Sequence, residues 1–431
     1  MPISHPRKTP KLLYALDDGS YYDHPYLETV GRSGNNIVRL KPSDFIPLPE
    51  GSEIFLLQGH SAIGFNSRKN EMEVLHNKTA ISSFIAPAHT QTYLAASKQR
   101  KNAVVLPLYA YSAVGFLDGK MWATAVRVDP DIRQDCEKFD QNLVERNVVE
   151  VRKKFPHNRL LEHIAHCATV YYCPAARNFF LYRWEGPLPT SPSCNSRCIG
   201  CISWQPKSSG ITSPQNRITF IPTPEEIAEL AVFHMSHAPD PIMSFGQGCE
   251  GEPLQVWETI LESIKIIRSK TKDGIININT NGSNPHAVEK LINAGLDSIR
   301  ISMNSAQEKL YNLYHNPTNY SFSDLAESCK VARRAGKWVS LNYFVFPGIT
   351  DTFAETDALC RFLDINNPNM IQWRNFNIDP DLYGNIAKDF TGEVRGVAAL
   401  IEFIKQKYPN MYNGYFNPGV EIQKKYLSIS S

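Results

Sequence analysis

Three cysteines lie close together in the segment SPSCNSRCIGCIS, at positions 194, 198 and 201. Thiolates at this C-x3-C-x2-C spacing can hold three corners of a cubane iron–sulfur cluster and leave the fourth iron open to a substrate or cofactor. The alternative is a structural zinc ion with a distant fourth ligand, which cysteine pairs more often indicate. Because no histidine or further cysteine follows closely enough to complete a tetrahedron, the spacing favours an iron–sulfur cluster on Cys194, Cys198 and Cys201.

Three further short motifs follow the cysteines. Residues 248–253 read G-C-E-G-E-P after an apolar run, 279–282 read N-T-N-G, and 302–304 read S-M-N. In this order the segments resemble the radical S-adenosylmethionine (SAM) superfamily, whose members carry the cysteine run, a G-G-E-P-like turn, T-N-G and a strand similar to I-S-L-D. The resemblance covers about 190–375, under half of the chain.

The resemblance implies a set of cofactors and a reaction. The cofactors are a 4Fe–4S cluster on the three cysteines and SAM, whose amino and carboxylate groups chelate the open iron. An electron donor such as flavodoxin or ferredoxin would drive reductive cleavage of SAM to a 5′-deoxyadenosyl radical, which abstracts hydrogen from an unidentified substrate. By the same resemblance, the cofactor-binding residues are Glu250, Gly251, Glu252, Asn279, Ser302, Asn304 and Gly348.

The chain departs from the family pattern at two positions. Many members carry an aromatic residue just before the last cysteine, where this chain has Gly200, and Trp204 is a candidate replacement. The first glycine of the usual G-G-E turn is Glu250 here. Adenine is therefore held either by Trp204 or in another way.

Strand and helix patterns alternate from about residue 186 onward and predict a parallel sheet with right-handed crossovers. Thr223 has the sequence context of an N-cap, and Gly295 and Gly336 are suited to end helices. The predicted class is α/β. By resemblance, the core is a partial (β/α)6 barrel of radical SAM type.

Strand side chains alternate between two faces, so parity predicts which residues point into the barrel. The apolar face of each strand must meet the helices. The polar faces, which must line the interior, are Ser244, Gly246 and Gly248; Asn277, Asn279 and Asn281; Arg300, Ser302 and Asn304; Ser340 and Asn342; and Gln372 and Arg374. Buried polar groups without partners are costly, so these faces indicate a wet cavity or a polar ligand, with a self-satisfied hydrogen-bond network as the alternative.

The substrate candidates are Asn342, Gln372 and Arg374, on the inward face of the last strands and away from the cysteines. Arg374 could hold a carboxylate or phosphate in bidentate fashion. Its alternative role is to pair with a buried acid of the barrel, because arginine is rarely buried unpaired.

Other cysteines and histidines have simpler explanations. His163, His166, Cys167 and Cys173 form H-x2-H-C-x5-C, which could ligate a second cluster or a metal, but one packed helix face is the simpler account. Cys249 is either a reactive thiol or a small buried residue, and burial is favoured because free cysteine is among the most buried residue types.

Four segments are expected along the chain. Residues 1–130 predict a β-rich domain, 131–185 a helical connector, 186–385 the partial barrel, and 386–431 a C-terminal helix and tail. The formal net charge of +2 gives no global case for nucleic-acid binding. The chain shows no signal peptide or apolar run of membrane-spanning length, and its nine cysteines suit a reducing cytoplasm.

Three functions follow from the sequence. The first is a cytoplasmic radical SAM enzyme acting on an unidentified substrate. The second is a radical SAM activase or maturase that modifies a protein or peptide recognised by the N-terminal domain. The third, from another class, is a non-catalytic metal-binding module, which would not need a polar barrel.

Overall fold

The structure is a computed structural model that describes residues 5–101 and 103–430. Its first part is rich in strands, as the punctuation by Gly, Pro and Asn predicts. The strands are β1 (Lys11–Ala15), β2 (Tyr21–Ser33), β3 (Asn36–Arg39), β4 (Ile46–Pro47), β5 (Glu53–Asn66), β6 (Glu71–Phe84), β7 (His89–Gln91), β8 (Leu94–Ala95), β9 (Ser97–Gln99), β10 (Val114–Leu117), β11 (Lys120–Ala123) and β12 (Ala125–Arg127). Ten of them form one antiparallel sheet, and β7 and β12 form a separate pair.

Three helices connect this part to the barrel: α1 (Gln141–Lys154), α2 (Arg159–Thr169) and α3 (Pro174–Phe180). The helical pattern over 159–173 predicts one continuous helix, but α2 ends at Thr169 and Pro174 begins α3. Proline is favoured in the first turn of a helix, where its missing N–H costs nothing, and it disfavours helical backbone at the residue before it.

The second part is a parallel sheet whose seven strands follow one another in chain order. They are β13 (Glu185–Pro187), β14 (Ile242–Phe245), β15 (Ile275–Thr280), β16 (Ser298–Met303), β17 (Trp338–Val345), β18 (Met370–Asn375) and β19 (Tyr412–Gly414). The α/β class and the half-barrel are as predicted. The strand number of six is wrong, because β19 adds a strand from a segment expected to hold only a helix and a tail.

Helices cover the outside of the half-barrel. They are α4 (Pro224–His237), α5 (Trp257–Lys270), α6 (Pro285–Ala294), α7 (Glu308–His315), α8 (Phe322–Arg334), α9 (Phe353–Asn366), α10 (Pro380–Ile386), α11 (Val397–Lys407) and α12 (Val420–Ser430). Thr223 is the N-cap of α4 and forms a capping box with Glu226, as its sequence context predicts.

The apolar faces of the strands pack against these helices, as parity predicts. Met243 and Phe245 of β14 and Ile276 and Ile278 of β15 are all completely buried. Burying each such side chain contributes roughly 1.5–3 kcal/mol, so the apolar face fixes which side of each strand looks inward. The polar faces therefore converge inside the half-barrel.

The β-rich first part of the chain docks on the carboxyl edge of the last barrel strands. The Thr90 Oγ1 of β7 donates to the Trp373 carbonyl oxygen at 2.6 Å, and the Gln91 N–H donates to Asn375 Oδ1 at 2.8 Å. On β2, Arg32 forms an ion pair with Asp381 at the start of α10. The two parts of the chain thus meet beside the open end of the half-barrel.

In residues 5–101 and 103–430, no helix is both long enough and apolar enough to cross a membrane.

Candidate active site

A cavity of about 380 Å³ opens at the carboxyl ends of the barrel strands. It brings together residues that lie more than 170 positions apart in the sequence. The predicted site residues in its lining are Cys194, Cys198, Cys201, Glu250, Gly251, Glu252, Asn279, Ser302, Asn342 and Arg374. The cysteine run, the three motifs that follow it and the last strands therefore all contribute to one cavity.

The loop that carries the cysteines is held by α7 and the turn after it. The Arg197 N–H donates to the His315 carbonyl oxygen at 3.0 Å, and the Ile199 N–H donates to the Tyr314 carbonyl oxygen at 3.1 Å. The Thr318 N–H donates to the Asn195 carbonyl oxygen at 3.0 Å. The carbonyl oxygens of Tyr314 and His315 lie in the last turn of α7 and have no partner within the helix. The loop therefore satisfies them while it acquires a fixed shape.

Each of the three sulfurs has one nitrogen beside it. Arg217 Nη2 donates to Cys201 Sγ at 3.4 Å, and the Ser196 N–H donates to Cys194 Sγ at 3.4 Å. The ring nitrogen Nδ1 of His315 lies 3.4 Å from Cys198 Sγ. Hydrogen bonds of this kind stabilise charge on ligand sulfur and raise the reduction potential of an iron–sulfur cluster.

Burial opposes ionisation of these thiols. It raises the pKa of Cys194 to about 11 and raises the pKa of Cys198 as well. Thiolates at these positions therefore require a nearby cation such as cluster iron. The three sulfurs do not form a group within 4.8 Å of one another, as donors to a single ion would. Sulfurs spaced more widely than the donors of a single ion suit a cluster, in which each would bind its own iron, better than one zinc ion.

The E-G-E-P turn is packed on the segment that precedes the cysteines. The Gly251 N–H donates to the Ser191 carbonyl oxygen at 2.6 Å, and the Glu252 N–H donates to the Ser193 carbonyl oxygen at 2.8 Å. A Cβ atom at Gly251 would lie 1.9 Å from the Ser193 carbonyl oxygen. Only glycine permits this approach, which fixes the turn beside Cys194.

The two carboxylates of the turn have different surroundings. Glu250 accepts hydrogen bonds from the backbone N–H groups of Thr190, Ser191 and Gln247 at 2.7–2.9 Å. Its carboxylate therefore holds the turn to the end of β13. Burial nevertheless raises the pKa of Glu250.

Glu252 accepts hydrogen bonds from the Asn281 N–H at 2.8 Å, from the Leu254 N–H at 3.0 Å and from the Thr280 hydroxyl. It thereby joins the E-G-E-P turn to the T-N-G segment. Burial is the main effect on this carboxyl group and raises the pKa of Glu252 to about 7. A cation in the cavity would favour its ionised form.

Below the cavity, the inward polar side chains bond to one another. Asn277 Nδ2 donates to Ser244 Oγ at 3.1 Å, and Ser244 Oγ donates to Glu185 Oε1 at 2.5 Å. Gln372 Nε2 donates to Asn417 Oδ1 at 2.9 Å. The self-satisfied network therefore forms the floor of the half-barrel, while the residues above it line open space.

Two arginines reach this region without a carboxylate partner among the residues that the structure describes. Arg300 Nη1 donates to Gln372 Oε1 at 3.1 Å, and its buried Nε has no hydrogen-bond partner. Arg374 donates to the Tyr415 carbonyl oxygen at 3.0 Å and stacks on the Tyr415 ring, 4.1 Å from its centroid. Burial first, and then the positive charge of Arg374, lower the pKa of Arg300 to about 10.

Three predicted site residues lie outside the cavity lining. Asn304 Nδ2 donates to the Tyr383 hydroxyl at 3.1 Å, and Gln372 belongs to the floor network. Gly348 has a φ of +90° and packs on the N-terminal sheet, where a Cβ atom would lie 1.8 Å from the Gly34 nitrogen. The structure therefore brings Gly348 to the contact between the two parts of the chain.

An aromatic side chain does reach the cysteine loop, from another element. A Cβ atom at Gly200 would lie 2.9 Å from the Tyr314 hydroxyl oxygen, and Tyr314 lines the cavity. Trp204, in contrast, is 47% exposed and lines a separate groove on the other side of the loop. Gly200 thus makes room for Tyr314.

Among the lining residues that were not predicted as site residues, four have ionisable side chains: Arg217, Arg300, Tyr314 and His315. Arg300 could have been predicted as a site residue, because strand parity already directs its side chain inward. The other three lie on a loop and a helix outside the recognised motifs, and no local spacing marks them.

The profile of the Radical SAM superfamily matches residues 188–360. This range holds the three cysteines, the E-G-E-P turn and β14 to β17. No curated protein is significantly similar to the chain in sequence.

Several solved structures are similar to part of this chain. One is a radical SAM methyltransferase from Sphaerobacter thermophilus, with 15% identity and a TM-score of 0.34 over 47% of this chain and 62% of that chain. A second is methylornithine synthase PylB, with 16% identity and a TM-score of 0.38 over 63% of this chain and 74% of that chain. A third is the FeFe-hydrogenase maturase HydG from Carboxydothermus hydrogenoformans, with 14% identity and a TM-score of 0.39 over 67% of this chain and 73% of that chain. The chain thus spans less than two thirds of the methyltransferase. These similarities are too distant to indicate the reaction.

Proposed function

We propose that this chain, whose residues 188–360 match the Radical SAM superfamily, is a radical SAM enzyme that abstracts hydrogen from an anionic substrate. When bound, a 4Fe–4S cluster and SAM supply the reductive cleavage that yields a 5′-deoxyadenosyl radical. The observation that carries the proposal is one shared cavity, lined by the three cysteines, the E-G-E-P turn, and Arg300 and Arg374, which have no carboxylate partner among the described residues.

In this proposal Cys194, Cys198 and Cys201 hold the cluster. Their support is the set of nitrogens at 3.4 Å from the three sulfurs, which suits ionised sulfur better than buried thiol. Arg217 adds a positive charge beside Cys201, and His315 stays neutral because burial lowers its pKa to about 3. The loop can therefore accept a cluster without rearranging its charges.

The E-G-E-P turn and the next two strands would bind SAM. Glu252 offers a carboxylate to the ammonium group of SAM, and Gly251 allows its backbone to come close. Asn279 and Ser302 line the same cavity and would orient the cofactor by hydrogen bonds. Glu250 would act indirectly, by holding the turn in place, since its carboxylate already accepts three backbone hydrogen bonds.

The substrate would lie toward Arg374 and Arg300, with Asn342 beside it. Gln372 would act indirectly, because it lies in the floor network and accepts a hydrogen bond from Arg300. Two guanidinium groups that share a cavity repel each other, and a bound anion relieves that repulsion. Arginine also matches carboxylate or phosphate in bidentate geometry. We therefore propose that the substrate carries a carboxylate or phosphate, which the side chains of β16 and β18 hold.

The substrate class can be tested with the reconstituted enzyme and fractionated cell extract. Fractions would be assayed for stimulation of 5′-deoxyadenosine release from SAM under anaerobic, reducing conditions. We expect the stimulating small molecule to bind an anion exchanger. Stimulation found only in the unbound or cationic fractions would refute an anionic substrate, and stimulation only by fractions containing macromolecules would favour a protein or peptide substrate instead.

Replacing Glu252 by glutamine or Ser302 by alanine should weaken SAM binding without loss of iron. Each change removes one contact to a charged cofactor, which should cost about 1.5–3 kcal/mol, or roughly ten- to a hundredfold in affinity. Equilibrium binding of SAM to the anaerobic enzyme and iron analysis would measure the two effects. Unchanged affinity in both variants would mean that SAM binds elsewhere.

Glu252 should also make the SAM affinity depend on pH. Burial raises the pKa of Glu252 to about 7, so lowering the pH through 7 protonates the carboxylate and removes its attraction for an ammonium group. SAM affinity should therefore fall below pH 7 in the unaltered enzyme. In Glu252→Gln this loss should be absent.

The proposed location is the cytoplasm. All nine cysteines are free, and they would stay reduced there together with an oxygen-sensitive cluster. A flavodoxin or ferredoxin would be a suitable electron donor.

A further inference from the structure

A second group of metal-ligating side chains lies outside the cavity. His163, Cys167 and Cys249 each offer one donor atom, and these three atoms all lie within 4.8 Å of one another. No other group of three His, Cys, Asp or Glu donors in residues 5–101 and 103–430 meets that distance. The proposed function makes no use of these three side chains.

Two elements supply the group. His163 and Cys167 are four residues apart on α2, so they project from the same face of the helix, and the distance from His163 Nε2 to Cys167 Sγ is 3.7 Å. Cys249 comes from the turn that also carries Glu250 and Glu252. Its carbonyl oxygen accepts a hydrogen bond from the Ile218 N–H at 2.8 Å, which holds that part of the turn in place.

The group is inside the protein but reachable from one side. Cys167 is 3% exposed and Cys249 is 5% exposed, while His163 is only partly buried. An ionised sulfur in such buried surroundings is costly unless a cation accompanies it.

We propose that His163, Cys167 and Cys249 bind one zinc ion, which ties α2 to the E-G-E-P turn. Sulfur and imidazole nitrogen are the preferred ligands of zinc, at about 2.3 Å and 2.0–2.1 Å, so tetrahedral donors lie roughly 3.5–3.8 Å apart. The observed nitrogen-to-sulfur distance falls in that range. The fourth position would be left to water, because Cys173, whose N–H donates to the Cys167 carbonyl oxygen at 3.0 Å, does not bring its sulfur within 4.8 Å of all three donors.

The ion would act as a structural support behind the SAM-binding turn. Cys249 directly precedes Glu250, so a ligand bond at Cys249 fixes the start of the turn from the side opposite the cavity. The site is independent of the cluster, since no residue is shared with Cys194, Cys198 and Cys201. Its metal content can therefore be tested separately from the proposed function.

The test is zinc and iron analysis of the full chain, purified without oxygen and dialysed against a weak chelator. We expect one zinc per chain in the unaltered protein. The variant with Cys194, Cys198 and Cys201 all replaced by alanine should keep this zinc while it loses its iron. In the Cys167→Ser, Cys249→Ala double variant, zinc should fall at least tenfold, while Cys329→Ala, which alters a buried thiol elsewhere, should retain it.

A spectrum provides a readout that needs no change at the proposed ligands. Cobalt(II) added to the triple-alanine variant should give thiolate-to-cobalt charge transfer and the visible bands of a tetrahedral site. Three results would each overturn the proposal. They are zinc at background level in the unaltered protein, zinc that persists in the double variant, and a Cys167–Cys249 disulfide found by mass spectrometry in the anaerobic protein.

Discussion

Replacing Cys194, Cys198 and Cys201 together by alanine should reduce the iron content from four atoms per chain to none and abolish SAM cleavage. The three thiolates are the ligands of the proposed cluster, and the structure supplies no substitute sulfur in the cavity lining. Iron and sulfide analysis with absorption spectroscopy would measure the loss. Because the cluster delivers the electron, no residual cleavage above background is expected.

The matched control is Cys360→Ala, which removes a buried free thiol on α9, far from the cysteine loop in sequence. It should keep its full iron content. Four irons in the triple-alanine variant would contradict the assignment. The His163, Cys167 and Cys249 group would then be the next place to seek the iron.

Replacing Arg374 by leucine should lower turnover of the true substrate by two orders of magnitude or more. Misplacement of a substrate by about 1 Å can cost roughly a hundredfold in rate, and loss of the anion contact would also weaken binding. Slow cleavage of SAM without substrate should continue, because the cysteine loop and the E-G-E-P turn are unchanged. Product analysis with and without substrate separates the two activities.

Thermal melting distinguishes this role from a structural one. Arg374 has no carboxylate partner among the described residues, so leucine leaves no buried acid unpaired and the melting temperature should change little. Arg333→Leu, which removes a guanidinium bonded to Asn369 away from the cavity, is the control and should keep full turnover. A drop of several degrees together with lost SAM cleavage would show that Arg374 is structural.

Local sequence patterns predicted several of the side chains that line the cavity. The cysteines lie within eight residues, and strand alternation alone directed Asn279, Ser302 and Asn342 to the interior. A strand has only two faces, so burial of the apolar one determines the other. These features follow from neighbouring residues and need no knowledge of the tertiary structure.

Contacts between distant segments could not be predicted in this way. Gly348 meets Gly34 across more than 300 residues, and that contact is determined by how the N-terminal sheet docks. Tyr314 reaches Gly200 from α7, a short helix that no strong periodicity marked. Cys249 was expected to be merely buried, and its approach to His163 and Cys167 depends on where α2 packs.

The seventh strand illustrates a different limit. Residues 412–414 form only three positions of strand β19, too short for alternation to be visible in the sequence. They join the sheet because β18 offers an unpaired edge, to which Tyr412, Asn413 and Gly414 align in parallel. The neighbouring sheet, more than local preference, therefore decides their structure.

The most direct test of the central claim is to reconstitute the protein anaerobically with iron and sulfide, reduce it in the presence of SAM, and quantify 5′-deoxyadenosine. A radical SAM enzyme should be brown, contain four irons per chain at Cys194, Cys198 and Cys201, and release 5′-deoxyadenosine only when both reductant and SAM are present. A colourless protein that holds zinc at these cysteines and leaves SAM intact would contradict the account.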